Sequence, residues 1–314
     1  MRLNIIIPVY NSEKTLSELV NSLIDKIKNI TKIKTYKIIL INDCSEDNSW
    51  SNINEICKKN TSVVGINLTK NYGQHNAIMA GLNFADGDYT ILMDDDYQHD
   101  PAEITNLIDK IDSGFDVCFT KYQENKYGFF KKLGSKLNNL LANILIDKPK
   151  NIYLSSYKCM SKKISDEIKN YDGPFVYIDG LIFDITKNVT TINVNHLDRK
   201  DGKSNYNFIK LFSLWLRVLT NFSIAPLRFV TFLGFLMTIL SILALILIIS
   251  IKIANPDIAA GWTSLASIII FFSGLQFVAI GLIGEYVGKS YLKLNKKPQY
   301  IIRNIINQNQ INEK

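Results

Sequence analysis

Four cysteines and three histidines are all the thiol and imidazole this 314-residue chain carries. Cys44, Cys57, Cys118 and Cys159 show no C-x-x-C spacing and no histidine partners at zinc-finger distances, so they read as reduced packing residues of a cytosolic domain. His75, His99 and His196 are scattered, and none reads as a ligand. No G-x-G-x-x-G follows the first strand, which removes the dinucleotide fingerprint. Gly202-Lys203-Ser204 looks like the end of a P-loop, but the glycine that must precede it would fall at Leu197. The basic residues, for all the net charge of +7, form no dense stripe interleaved with aromatics, so no nucleic-acid partner is expected. They flank apolar segments instead, which points to an anionic membrane surface. The first residues, Met1 to Pro8, have too short an apolar core for a signal peptide and no small-residue cleavage site; they read as a strand.

Strands and helices alternate through the first 120 residues. Leu3 to Pro8, Tyr36 to Ile41, Val63 to Leu68 and the run from Tyr89 are apolar strands, and Phe115 to Phe119 is a fifth. Between them, Leu16, Leu19, Val20, Leu23, Ile24 and Ile27 recur at helical spacing, a short helix carries Ile53 and Cys57, and the stretch Lys70 to Ala77 opens another that runs through Phe84. This alternation predicts an α/β domain with a mostly parallel sheet covered on both faces. From 121 to 206 the pattern weakens into polar turns and short helices, as suits an acceptor-binding half.

The fourth strand stops at Asp94-Asp95-Asp96, and a helix start follows. Asp100 offers an N-cap, Pro101 the first helical position, and Glu103 the third position of a capping box, with the helix running to Ile111. Three consecutive carboxylates in a strand-to-helix turn sit where an open α/β sheet binds ligands. They repel one another unless a hard divalent cation lies among them, and such a cation would also hold a diphosphate. A solvated acidic turn with Asp100 as a cap is the plainer alternative.

In the last third, 229–251 and 262–284 each hold 23 residues without a charge. At ~1.5 Å per residue each reaches ~35 Å, enough to cross a bilayer core of ~30 Å. The loop between them has one Lys and one Asp, whereas Lys210, Arg217 and Arg228 precede the pair and Lys289, Lys293, Lys296, Lys297 and Arg303 follow it. The positive-inside rule then puts both ends of the chain in the cytoplasm. The expected organisation is a cytoplasmic catalytic domain over 1–207, an interfacial amphipathic helix over 208–223, transmembrane helices over 224–253 and 262–284 joined by an external loop at 254–261, and a cytoplasmic tail over 285–314. Two helices per chain make a small membrane homo-oligomer an expected state.

Ile7-Pro8-Val9-Tyr10-Asn11-Ser12-Glu13, Asn42-Asp43-Cys44-Ser45, Asn71-Tyr72-Gly73-Gln74 and Asp94-Asp95-Asp96-Tyr97-Gln98 resemble, in order, the motifs of family-two nucleotide-sugar glycosyltransferases. Arg199-Lys200-Asp201-Gly202-Lys203-Ser204-Asn205-Tyr206, Asn221-Phe222-Ser223, Pro226-Leu227-Arg228, Gly284-Glu285-Tyr286 and Lys297-Pro298 resemble one branch, the polyprenyl-phosphate glycosyltransferases with two membrane helices. The resemblance implies a Rossmann-like domain of the GT-A type. It implies that Pro8, Tyr10, Glu13, Asp43, Asn71 and Asp95 bind the nucleotide sugar, with Asp43 accepting from the base and Asp95 close to the ribose or sugar. Asp96 and Gln98, with Asp94, would hold Mg²⁺ or Mn²⁺. Asp94, Asp96 and Arg199 would carry catalysis, and Arg199, Lys203 and Ser204 would bind the lipid phosphate.

Two departures stand out. The motif usually written Val-Asp-Asp-Gly-Ser is here Ile41-Asn42-Asp43-Cys44-Ser45, with one acid and the glycine gone. The family often has an aspartate ahead of a downstream Phe-Arg pair, proposed as a base, and the matching Tyr153-Leu154-Ser155-Ser156-Tyr157-Lys158 has no carboxylate. A phosphate acceptor, largely ionised near neutral pH, needs no such base. The expected reaction is therefore inverting transfer of a hexose, from UDP-glucose or a UDP-hexosamine, to undecaprenyl phosphate at the cytoplasmic face of the inner membrane. Alternatives are a membrane-attached transferase that extends a lipid-linked glycan, and a non-catalytic membrane protein that keeps the fold.

Overall fold

A computed structural model describes residues 1–122, 149, 152–174, 176–194, 261–295 and 297–307, with isolated positions between 232 and 250. The chain divides into two compact units, one of residues 1–206 and 296–314, the other of residues 207–295.

The first unit is built on an eight-stranded sheet. In chain order it contains β1 (Arg2–Val9), α1 (Leu16–Lys28), β2 (Thr35–Asn42), α2 (Ser49–Lys59), β3 (Val63–Leu68), α3 (Gln74–Leu82) and β4 (Tyr89–Leu92). A 3₁₀ turn (Pro101–Glu103) then leads into α4 (Ile104–Asp112), followed by β5 (Val117–Tyr122), β6 (Lys158–Ser161), α5 (Lys162–Lys169), α6 (Ile178–Ile185) and β7 (Val189–Val194). After the second unit the chain returns as β8 (Ile302–Ile306). The strand order is β7-β5-β6-β4-β1-β2-β3-β8. β1, β2, β3, β4, β5 and β7 run one way and β6 and β8 the other, giving the mostly parallel α/β sheet that the alternation predicts.

Strand periodicity sorts the side chains. Leu3, Ile5, Ile7 and Val9 of β1, with Ile38 and Leu40 of β2, join one buried cluster with the apolar faces of α1, α2 and α4. Ile6 and Ile41 point the other way, onto α3, and the helix approaches so closely that a Cβ at Gly81 would lie 2.7 Å from Ile6 Cγ2 and 2.8 Å from Ile41 Cδ1. Only glycine permits that approach. Both faces of the central strands are therefore covered, which is why they read as continuous apolar runs.

The chain winds from β1 through β2 to β3, then crosses back so that β4 pairs with the opposite side of β1. That reversal opens a crevice at the carboxyl ends of β1 and β4, the place where such sheets bind ligands.

Three local expectations shift. α3 ends at Leu82, two residues short of Phe84, where Phe84 and Ala85 amides turn onto the carbonyls of Gly81 and Leu82. The box at Asp100 does not close: its carboxylate takes the amide of Ala102 at 2.8 Å, and Glu103 instead takes the side-chain amide of Asn106 at 2.7 Å. β5 starts at Val117 because Gly114 turns with φ +100° and Asp116 donates to the Asn188 carbonyl.

In the second unit a single 33-residue helix, α7 (Trp262–Leu294), contains the expected segment 262–284 and continues beyond it. Its described side chains include the exposed Leu265, Ile268, Ile269, Ile280, Ile283 and Val287. Most of 229–251 and all of 208–223 lie outside the described residues. Among the described residues, no helix is long and apolar enough to cross a membrane.

Candidate active site at the carboxyl edge of the sheet

Four strand ends deliver the sequence-predicted residues to one edge: Pro8 within the end of β1 and Tyr10 and Glu13 after it, Asp43 after β2, Asn71 after β3, and Asp94, Asp95, Asp96 and Gln98 after β4. The loops leave their strands through unusual backbone. Asn11, Cys44 and Tyr97 have φ of 55°, 58° and 61°, and Gly73 has 87°. Left-handed residues other than glycine are uncommon and gather at functional turns. Cys44 stands where the family motif has glycine, and it adopts the left-handed backbone that glycine takes most readily.

Each carboxylate has its own surroundings. Asp94 accepts from Gln74 Nε2 at 2.7 Å and from Ser156 Oγ at 2.5 Å. Burial pushes its pKa above the ordinary carboxylate range, partly offset by the Ser156 bond and the Lys158 charge. Its backbone amide donates to His99 Nδ1 at 3.2 Å. That bond requires the nitrogen to be unprotonated, so His99 works as a floor beneath the acidic turn, its ring stacked on Tyr157 with centroids 4.9 Å apart.

Asp95 faces β1. One oxygen accepts the amide of Tyr10 at 3.0 Å and the hydroxyl of Ser12, and the Asp95 carbonyl accepts Thr15 Oγ1 at 2.9 Å. Burial pushes its carboxyl up to about 6. Asp96 takes the amide of Gln98 at 3.2 Å. Among the described residues, no three His, Cys, Asp or Glu side chains converge as a ready-made metal cage. One or two carboxylates are what a Mg²⁺-type ion needs when substrate phosphates and water supply its other ligands, and the acidic turn fits that donor set.

Asp43, 3% exposed, accepts the amides of Tyr72 at 2.7 Å and Gly73 at 2.8 Å. Burial raises its pKa in spite of both bonds. It ties the loop after β3 to the end of β2. Glu13 is similarly engaged, its carboxylate accepting the backbone and side-chain amides of Asn48, both at 3.0 Å. Asn71 accepts from the Gly73 amide at 3.1 Å. Tyr10 is 47% exposed, leaving an aromatic surface at the edge. Arg199, Lys203 and Ser204 lie outside the described residues.

Sequence reading misses a second cluster beside Asp94. A cavity of about 150 Å³ is lined by Gln74, His75, Ser156, Lys158, Tyr177 and Asp179, among others. Lys158 and Asp179 form an ion pair with side chains 4% and 13% exposed. His75 packs edge-on against Tyr177 at 5.0 Å, and burial keeps its imidazole below the usual range. The segment from Tyr153 to Lys158 indeed has no carboxylate, but α6 brings one to it; no local pattern ties Asp179 to Lys158 across 21 residues.

A family model, "Glycosyl transferase family 2", matches residues 4–169. An undecaprenyl-phosphate 4-deoxy-4-formamido-L-arabinose transferase from Proteus mirabilis (strain HI4320) is 33% identical over 97% of this chain and 94% of its own length. One of the same description from Enterobacter sp. (strain 638) is 32% identical over 99% and 95%. Among solved structures, glucosyl-3-phosphoglycerate synthase from Mycobacterium tuberculosis, with Mn²⁺ and UDP-glucose, is 17% identical, covers 69% of this chain and 76% of that one, and has a TM-score of 0.49. That last likeness is too loose to carry a conclusion.

Proposed function

Because the chain belongs to glycosyl transferase family 2, in its polyprenyl-phosphate branch, we propose that it catalyses metal-dependent, inverting transfer of one sugar from a UDP-linked donor to a polyprenyl phosphate. The observation that carries this reading is the gathering of Asp43, Asp94, Asp95 and Asp96 on one sheet edge, at the reversal between β1 and β4. The relatives' names support undecaprenyl phosphate as the acceptor, and they extend the donors to be tried from UDP-glucose and UDP-hexosamines to UDP-4-deoxy-4-formamido-L-arabinose.

In this reading Tyr10 offers its exposed ring to the base. Asp43 holds the loop of Tyr72 and Gly73 against the nucleotide site, with remaining lone pairs for a base N–H. Asp96 and Gln98, with Asp94, would hold Mg²⁺ or Mn²⁺, which when bound neutralises charge on the departing diphosphate. Asp95 sets the spacing of the two strand ends through Tyr10 and Ser12. Arg199, Lys203 and Ser204 would receive the lipid phosphate. The acceptor phosphate arrives already ionised, so positioning and electrostatics suffice without a protein base. The carboxylate that folding brings to the segment from Tyr153 to Lys158, Asp179, is engaged by the Lys158 ammonium.

The uncharged runs 229–251 and 262–284 would anchor the chain as two membrane spans with both ends in the cytoplasm, the side where the nucleotide donor is found. The second of these runs falls within the 33-residue α7, whose described side chains include exposed leucine and isoleucine.

The test is direct. Purified protein with radiolabelled UDP-sugar, Mg²⁺ and undecaprenyl phosphate should give a lipid-soluble, acid-labile product, and Asp96→Ala should abolish it. Normal turnover by Asp96→Ala would remove the metal role.

A further inference from the structure

The last strand carries one residue more than its partner needs. Across the ladder between β3 and β8, Ile302 pairs with Leu68 and Asn304 with Asn67, so Arg303 stands opposite no residue of β3. A bulge of this kind re-aims a side chain, and bulges recur beside active sites for that reason. Here the re-aimed side chain meets the first residue past β3: Arg303 Nη2 donates to the Thr69 carbonyl at 3.0 Å. Among the described residues Arg303 forms no ion pair, so the carbonyl is what holds its guanidinium.

Thr69 is a meeting point. Its amide donates to the Ile301 carbonyl at 3.0 Å, its hydroxyl lies 3.0 Å from that of Tyr72, and Cys44 Sγ lies 4.0 Å from the carbonyl that Arg303 holds. Every polar group of the residue is therefore engaged. Three residues on, Asp43 grips the amides of Tyr72 and Gly73. The loop 69–73 is thus fixed at both ends, and the bond from Arg303, an exposed side chain, can be removed without touching the backbone ladder.

We propose that Arg303 is a positioning residue for the nucleotide: it fixes the base of the 69–73 loop, so that the loop is already ordered when a uridine diphosphate reaches it. The proposal rests on the glycosyl-transfer reading above and adds to it a residue that acts through Thr69 without touching the ligand. A loop left free at its base must be ordered on binding, and fixing the backbone of one residue is worth roughly a factor of ten.

Calorimetry on the purified full-length chain with Mg²⁺ tests it, with UDP and the phosphate-free uridine as ligands, beside hydrogen exchange of the peptide spanning 69–73. Arg303→Ala should weaken both ligands by the same factor, about tenfold, and speed exchange in the loop of the free chain. Arg303→Lys, which keeps a donor on a long stem, should bind both within about threefold of wild type. Asn307→Ala cuts the bonds beyond the other end of β8; it should lower Tm and leave both affinities unchanged, which separates positioning from loss of stability. Should Arg303→Ala not fold, Arg303→Met, a long side chain without a donor, takes its place. Wild-type affinity for UDP in Arg303→Ala overturns the proposal and leaves the nucleotide site standing. So does a loss confined to UDP, which would mean that the guanidinium touches the diphosphate itself, and so does an equal loss in Asn307→Ala, which would mean a general loosening of the strand. A wild-type chain that binds no UDP overturns the nucleotide site and this proposal with it.

Discussion

Replacing Asp95 by asparagine should make the chain more stable at neutral pH. The Asp95 carboxyl is pushed by burial from its ordinary 3.8 up to about 6, against the opposing pull of the Ser12 and Tyr10 bonds. The folded chain thus binds this proton more tightly than the unfolded one. Between pH 3.8 and about 6 the unfolded chain has released the proton while the folded chain largely keeps it, so stability falls as pH rises through that window and levels off above it. A shift of about two units corresponds to ~3 kcal/mol at pH 7.5 and roughly half of that at pH 5. Asparagine carries no charge to desolvate. Its carbonyl oxygen, in the place of the carboxylate oxygen that takes both bonds, can still accept the Tyr10 amide and the Ser12 hydroxyl. If about 2 kcal/mol is recovered, Tm should rise by about 4–8 °C for a unit of this size. Thermal melts of wild type and Asp95→Asn, followed by tryptophan fluorescence in a chelator at pH 5 and 7.5, measure this. A gain at pH 7.5 that roughly halves at pH 5 is the expected result. A lower Tm at pH 7.5, or a gain independent of pH, would refute the reasoning.

Cys44, at φ 58°, should tolerate glycine within about 1 kcal/mol but lose ~1–2 kcal/mol as valine, whose branched Cβ resists a left-handed backbone; paired denaturant titrations decide. Asn307 donates to the carbonyls of Cys57, Asn60 and Val63 from a left-handed position, so Asn307→Ala should cost ~2–3 kcal/mol and hasten proteolysis of the segment after Lys297. Removing divalent cations with EDTA should abolish transfer, and adding Mg²⁺ or Mn²⁺ should restore it; full activity in EDTA would remove the cation from the proposed reaction.

β1 to β4 were legible because they are buried on both faces and read as unbroken apolar runs closed by turns. The acidic turn was legible because its carboxylates are consecutive. β6 was not, being four residues that begin with Lys158, whose ammonium is buried only because Asp179 meets it. β8 was read as part of a polar tail, since Arg303 and Asn304 face outward on an edge strand and its partner β3 lies more than 230 residues earlier. His75 carried no signal either; its surroundings are assembled by Tyr177, and only folding brings the two together.

The return of the chain as β8 also explains how a segment so far along the sequence bears on the site. β3 would otherwise be an edge strand with open backbone groups, a liability that proteins cover or pair. β8 pairs with it, and at its start the contacts concentrate on one residue: the Thr69 amide donates to the Ile301 carbonyl at 3.0 Å, and Arg303 donates to the Thr69 carbonyl at 3.0 Å. Thr69 opens the loop whose far side, at Tyr72 and Gly73, is gripped by Asp43, and its hydroxyl lies 3.0 Å from that of Tyr72. A loop fixed at only one end would swing; this one is held at its base by the last strand and at its tip by a buried carboxylate. The strand that closes the sheet thus also steadies the loop beside Asp43.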